Sequence, residues 1–150
     1  MDKQAKLERY IRIYHQLEEL LKKSDFPISR MATAVAVLHH KMEFFWTGFY
    51  LLNNGHLSVG PYQGTLACQE LEKDKGVCWA GINQGKTIVV PDVEQFPGHI
   101  ACDSRSKSEI AVPLKDRNNN IIGVLDIDSK KLNTFDEVDA EGLEKIVGLI

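Results

Sequence analysis

Three cysteines are the first residues of this 150-residue chain that could do chemistry, and they lie at positions 68, 78 and 102. No Cys-x-x-Cys pair is present, which excludes a zinc ribbon or a thioredoxin-like motif. Each cysteine follows a loop signal, a glycine that precedes it by two to four residues. A core cysteine would more often lie inside a strand or helix pattern. This placement favours a redox or nucleophilic role over core packing.

Two carboxylates emerge from an otherwise apolar segment. Asp126 and Asp128 are two residues apart at the end of the run 121–128, so they share one face of a predicted strand. The strand either ends in solvent or leads into a pocket that binds a cation or raises a carboxyl pKa, because buried acids are costly unless they are paired. Glu109 begins the neighbouring predicted strand and could join them.

Aromatic side chains share one face of a third predicted strand. Trp46 and Tyr50 lie on either side of Gly48, which leaves a notch between two rings. The rings either pack in the core or form a wall that holds an ammonium by cation–π contact. Together with Asp126 and Asp128, such a wall would suit an amino-acid zwitterion.

Other chemistries find less support. His99 lies three residues before Cys102, as a Cys–His nucleophile pair would allow, but no protease signature surrounds it. No glycine-rich phosphate-binding loop is present.

The 18 basic and 21 acidic residues argue against a dedicated nucleic-acid binder. The absence of an apolar run of about 20 residues argues against a membrane span. The charged start lacks the apolar core of an export signal, so we expect a cytoplasmic protein with reduced thiols.

The elements that must position these residues follow from periodicity and turn signals. We expect one domain, 1–150, of the α+β class: a mainly antiparallel sheet with helices packed on one face. The last helix is predicted to begin with a capping box from Thr134 to Glu137. The predicted helices are 3–23, 28–41, 77–82 and the segment after 134; the predicted strands are 44–52, 56–63, 87–90, 109–114 and 120–128; the stretch 92–107 is predicted to be a long loop.

The first helix carries one apolar stripe, made of Leu7, Tyr10, Tyr14, Leu17 and Leu21. The stripe could pack on the chain's own sheet or on a partner helix. It therefore permits a homodimer.

Six runs of the sequence resemble the GAF-type free methionine-(R)-sulfoxide reductases, and so does the spacing of the three cysteines. The resemblance covers about residues 43–148. The runs are WTGFYLL (46–52), GPYQGTLAC (60–68), GVC (76–78), GHIACDS (98–104), SEIAVPL (108–114) and IIGVLDIDS (121–129).

The resemblance implies a GAF fold and reduction of free methionine (R)-sulfoxide to methionine, with thioredoxin regenerating the enzyme and with no metal or cofactor. By position it makes Cys102 the nucleophile, which would pass through a sulfenic acid to a disulfide. Cys68 or Cys78 would be the resolving thiol, with Cys68 preferred. The acids of the pocket would be Glu109, Asp126 and Asp128. Trp46 and Tyr50 would form the aromatic side of the pocket. The rival hypothesis is a stand-alone GAF sensor of redox state or of a small ligand, without turnover.

Overall fold

The computed structural model describes residues 1–99 and 102–150, which form an α+β fold around a six-stranded antiparallel sheet. The strand order is β3-β2-β1-β6-β5-β4. In the described residues, no helix is both long enough and apolar enough to cross a membrane. The strands are β1 (Trp46–Asn53), β2 (His56–Gln63), β3 (Glu70–Leu71), β4 (Ile88–Val90), β5 (Ser108–Lys115) and β6 (Ile121–Ser129); the helices are α1 (Lys3–Leu20), α2 (Pro27–Met42), α3 (Gly76–Gln84) and α4 (Glu137–Val147).

Helices cover both faces of the sheet. On one face, Leu125 and Ile127 of β6 join a core cluster with side chains of α1, α2 and α4. On the other face, Val124 packs with Cys78 and Trp79 of α3. The α+β class and the antiparallel sheet are confirmed, but the expectation that all helices share one face holds only for three of the four. The cause is β6, whose two apolar faces both need cover.

The buried face of α1 is shifted from the predicted stripe. Tyr10, Leu17 and Leu21 are buried as expected, but Leu7 is 42% exposed and Ile13 is buried in its place. This face packs on α2 and α4 of the same chain. Gly142 of α4 permits the close approach, since a Cβ atom there would lie 2.5 Å from the ring of Tyr10.

The start of α4 lies two residues beyond the predicted position. Asp136, rather than Thr134, is the N-cap residue, and its carboxylate accepts hydrogen bonds from the backbone N–H groups of Val138 and Asp139. The Asp139 carboxylate accepts one from the Asp136 N–H and completes the capping box. The predicted Thr134–Glu137 box is therefore wrong. The Thr134 hydroxyl lies 2.7 Å from that of Ser129 instead.

A buried ionic network joins α1 to α4. The Lys6 ammonium lies 2.5 Å from Asp139 Oδ2, and the Tyr10 hydroxyl donates to Oδ1 at 2.7 Å. Lys6 is only 8% exposed and also donates to the Thr134 carbonyl. Every strong polar group in this contact therefore has a partner.

Replacing Asp139 by alanine is expected to lower the free energy of unfolding by about 3–5 kcal/mol, because it leaves the buried ammonium of Lys6 with only the more distant carboxylate of Asp136, at 3.3 Å. Urea denaturation of both proteins would measure the loss. The matched control is Glu141→Ala, which removes an exposed carboxylate of the same helix and should change stability by about 0.5 kcal/mol or less. Equal effects of the two substitutions would show that the network does not stabilise the fold.

Candidate active site

Strand register brings the three acids together. Asp128 of β6 lies between Trp46 of β1 and Glu109 of β5 in one cross-strand row. In the next row on the same face, Asp126 lies between Gly48 and Ala111. The flanking residues are small, so the carboxylate of Asp126 stands at the floor of a cavity. We call Glu109, Asp126 and Asp128 the acid cluster.

Cys78 completes this floor from the opposite side. It lies in the first turns of α3, it is 3% exposed, and its thiol is free. Its Sγ and one carboxylate oxygen each from Glu109 and Asp126 all lie within 4.8 Å of one another. Cys78 is therefore a pocket residue close to the acids.

The acid cluster holds protons more tightly than ordinary carboxyl groups do. Burial, and then the charges of Asp126 and Asp128, raise the pKa of Glu109 well above its usual range. Burial also raises the pKa of Asp126, although hydrogen bonds from Glu109 and Cys78 oppose this effect. The pKa of Asp128 is raised by burial and by the charge of Asp126. The cluster can therefore hold a proton at a pH at which exposed carboxyl groups have lost theirs.

The same environment affects the Cys78 thiol. Burial raises its pKa well above the usual range, and the charges of Asp126 and Glu109 act in the same direction. The thiol is a poor nucleophile in this state. Its Sγ lies within 4.8 Å of a carboxylate oxygen of Asp126.

The aromatic residues of the site stack on each other and donate hydrogen bonds to the loop that carries Cys68. The rings of Trp46 and Tyr50 stack with centroids 5.9 Å apart, and the Trp46 ring also stacks on Tyr62. A Cβ atom at Gly48 would lie 2.5 Å from the Trp46 ring, so the predicted notch over Gly48 is filled by the indole itself. Their polar atoms reach past the pocket to the loop that carries Cys68. The Trp46 Nε1–H donates to the Thr65 carbonyl and the Tyr50 hydroxyl donates to the Cys68 carbonyl, at 3.0 and 2.8 Å.

A disulfide closes the other side of the site. Cys68 and Cys102 are bonded, and their Cα atoms are 5.5 Å apart. Cys102 is exposed, whereas Cys68 is half-buried. The disulfide joins the loop after β2 to the long loop before β5.

A second contact between these loops was not anticipated from the sequence. The Thr65 hydroxyl donates to Asp103 Oδ2 at 2.9 Å, and Arg105 pairs with the same carboxylate. The guanidinium of Arg105 also lies 5.2 Å from the centre of the Phe45 ring. Hydrogen bonds from Arg105 hold the pKa of Asp103 well below its usual range. The run Asp103-Ser-Arg105 is an Asx-type turn signal that sequence reading could have used.

One pocket collects almost all the predicted site residues. Trp46, Tyr50, Cys78, Cys102 and the acid cluster line it, together with Thr65, Leu66, His99 and Asp103. Cys68 lies behind the lining, where it is bonded to Cys102. His99 and Cys102 share the pocket, but no hydrogen bond links their side chains in the described part of the chain, so a Cys–His pair finds no support. Ile100 and Ala101 of the predicted long loop 92–107 lie outside the described residues.

Comparison with known proteins agrees with this geometry. A family model for the GAF domain matches residues 30–150. The chain is 47% identical over 151 residues to "GAF domain-containing protein A" of Dictyostelium discoideum, covering 100% of this chain and 95% of that protein. It is 37% identical over 143 residues to the "Free methionine-R-sulfoxide reductase" of Escherichia coli, with 95% and 86% covered. The chain belongs to the free methionine-R-sulfoxide reductase family of GAF domains.

Structural similarity extends over the same length. The free methionine-R-sulfoxide reductase of Neisseria meningitidis, solved in complex with its substrate, superposes with a TM-score of 0.92 at 38% identity. The comparison covers 99% of this chain and 88% of that one. The GAF fold and the family resemblance stated from the six sequence runs are thus confirmed. In this GAF domain, the candidate site is the pocket between the sheet and α3, where the acid cluster and the disulfide meet.

Proposed function

We propose that this protein reduces free L-methionine (R)-sulfoxide to L-methionine. The observation that carries the proposal is the meeting of a disulfide, Cys68–Cys102, with buried carboxyl groups of raised pKa in one pocket. A sulfoxide oxygen must be protonated before it can leave. A neutral carboxyl group beside a redox-active thiol supplies that proton.

The reaction proceeds in two steps at the protein. A carboxyl group of the acid cluster protonates the sulfoxide oxygen while the Cys102 thiolate attacks sulfur. The hydroxyl then passes from the substrate sulfur to the Cys102 sulfur as the bond between the two sulfur atoms breaks. Methionine leaves with two electrons from the cysteine, which becomes a sulfenic acid. The Cys68 thiol then attacks the sulfenic sulfur, water leaves, and the disulfide forms.

The substrate's ammonium group is placed against the acids and the aromatic faces. Asp126 and Asp128 supply negative charge, and Trp46 and Tyr50 supply ring faces. A peptide-bound methionine has no such ammonium and continues in both directions. This arrangement supports a free amino acid as the substrate.

A dithiol protein of the thioredoxin type completes the cycle in our proposal. It would reduce Cys68–Cys102 by thiol–disulfide exchange. Exposure of Cys102 and of the neighbouring loop residue Leu66, which is 82% exposed, supports access by a protein. A cytoplasmic setting, where such dithiols are kept reduced, fits this requirement.

The test is NADPH oxidation coupled through thioredoxin and its reductase, with three compounds: free methionine (R)-sulfoxide, the free (S) epimer and N-acetylmethionine (R)-sulfoxide. Turnover of the first compound alone is expected, because only it presents both the ammonium and the required configuration. Turnover of the acetylated compound would overturn the placement of the ammonium. Turnover with dithiothreitol but not with thioredoxin would overturn the choice of reductant. No turnover by reduced, folded protein would favour a sensor.

We also propose that residues 1–150 act as one domain that pairs into a homodimer through α1. The packing of α1 on α2 and α4 supports the single domain. Leu7 and Ile11, one helical turn apart, are 42% and 48% exposed and leave an aliphatic strip for a second copy. Sedimentation should give twice the chain mass of 16.9 kDa, and Leu7→Glu with Ile11→Glu should halve it. A monomeric wild-type protein would contradict the proposal.

A further inference from the structure

Cys78 is a buried thiol that the proposed disulfide cycle does not use. It lies under the acid cluster with its Sγ within 4.8 Å of carboxylate oxygens of Glu109 and Asp126. Asp126 is only 4% exposed, and its Oδ1 has no hydrogen-bond partner among residues 1–99 and 102–150. A buried carboxylate oxygen without a donor indicates a position where a positively charged or donating ligand belongs.

The cluster also has no cation of its own. In residues 1–99 and 102–150, no lysine, arginine or histidine lies within salt-bridge distance of Glu109, Asp126 or Asp128. The pocket residue Lys75 pairs instead with Glu72 at 3.0 Å. A small cation that enters the pocket would therefore meet uncompensated acceptors.

We propose that Cys78, Glu109 and Asp126 bind a thiophilic divalent cation of the Zn²⁺ type, and that this ion blocks the pocket. The site is formed by one sulfur and two oxygen donors. Zn²⁺ accepts this mixture at about 2.3 Å for sulfur and about 2.0–2.2 Å for oxygen. Tetrahedral ligand atoms at these distances are about 3.5 Å apart, so shifts of roughly 1 Å suffice to close the site.

The donor set also selects among metals. A thiolate favours Zn²⁺ or Co²⁺ over Mg²⁺ and Ca²⁺, which prefer all-oxygen sites. On binding, the ion displaces the thiol proton and any carboxyl proton of its ligands, and no electrons move. The metal therefore acts as an inhibitor that occupies the substrate's place. This blocking role, unlike the metal site itself, rests on the proposed function.

The experiment uses Co²⁺ as a spectroscopic probe on the oxidised full-length protein. Because Cys68 and Cys102 are bonded there, Cys78 is the single free thiol. We expect a saturable thiolate-to-cobalt charge-transfer band at one ion per chain, which Zn²⁺ abolishes and Mg²⁺ leaves unchanged. Absence of a saturable band from folded wild-type protein would overturn the site.

Variants assign the ligands. Cys78→Ser should remove the band, and Asp126→Asn should weaken Co²⁺ binding by at least about tenfold, the size of effect that even outer-shell changes produce. The double variant Cys68→Ser/Cys102→Ser is the matched control that retains Cys78 and should retain the band. A band that persists in Cys78→Ser would overturn the assignment. Zinc binding measured by calorimetry on the wild type does not depend on the folding of any variant.

Competition separates this inference from the proposed function. Free methionine (R)-sulfoxide should raise the apparent Kd for Co²⁺, since both occupy the same floor of the pocket. Cobalt binding without competition would overturn the blocking role and leave the metal site intact. Turnover without any cobalt band would overturn the metal site and leave the proposed reductase intact.

Discussion

Replacing Cys102 by serine is expected to lower the turnover of free methionine (R)-sulfoxide by at least about three orders of magnitude, as removal of a covalent nucleophile does in other enzymes. The hydroxyl of serine cannot take up the sulfoxide oxygen as a sulfenic acid. Methionine release in a single turnover, measured by chromatography, gives the effect directly. Cys78→Ser is the matched control, since it replaces a pocket thiol that is outside the disulfide. It should retain disulfide formation.

The contrast with Cys68→Ser separates the two halves of the cycle. This variant should release one methionine per chain in a first burst and then stop with thioredoxin, because the sulfenic acid on Cys102 has no resolving thiol. Trapping with a sulfenic-acid reagent followed by mass spectrometry should locate the adduct on Cys102. A burst in Cys102→Ser, or an adduct on Cys78, would contradict the assignment of roles.

Replacing Glu109 by glutamine is expected to lower turnover by about 10²–10⁴-fold, which is the range for loss of a general acid. The amide keeps the shape of the protonated carboxyl group but cannot release a proton to the sulfoxide oxygen. Steady-state kinetics across pH would measure this loss of turnover. In the wild type, turnover should fall as pH rises through the raised pKa of Glu109, because the proton donor is then lost. The variant should lack that limb of the profile.

The effect of Glu109→Gln on stability should be opposite in sign to its effect on turnover. The pKa of Glu109 is higher in the folded than in the unfolded chain, so its contribution to stability is fully present below the unfolded pKa and is lost as pH rises through the folded pKa. Glu109→Gln removes this loss and should leave the melting temperature unchanged or higher at pH 8. A large fall in melting temperature would instead indicate a structural role. Asp116→Asn, in an exposed turn, is the control for removing a carboxylate.

The sequence predicted the elements of the site better than its contacts. Period-two patterns and turn signals such as Asn53–Gly55 located five of the six strands to within about two residues, because they depend on local preferences. The two-residue strand β3 was not predicted. The register that aligns Glu109 with Asp128 depends on long-range pairing, so Glu109 could only be suggested as a neighbour. The family resemblance, rather than periodicity, gave the roles of the cysteines.

The predictions that the structure contradicts failed for physical reasons. Thr134 and Asp136 are both good N-cap residues followed three positions later by an acid, and the buried Lys6 selects the second by pairing with Asp139. The stripe on α1 was misplaced because Leu7 and Ile13 are both aliphatic and only tertiary packing chooses between them. The helix α3 on the opposite face is short and nearly uniformly apolar, so its direction of packing leaves no periodic signal.

The ionic network between α1 and α4 has a consequence for where this protein can be cut. Similarity to the GAF family model begins at residue 30, after α1 has ended. A fragment trimmed to that boundary would keep Asp139 and Gly142 but lose the ammonium of Lys6 and the ring of Tyr10 that cover them. The start of the family-model match thus lies within the hydrophobic core of the fold. An engineer who fuses this module to another protein must carry the first helix with it.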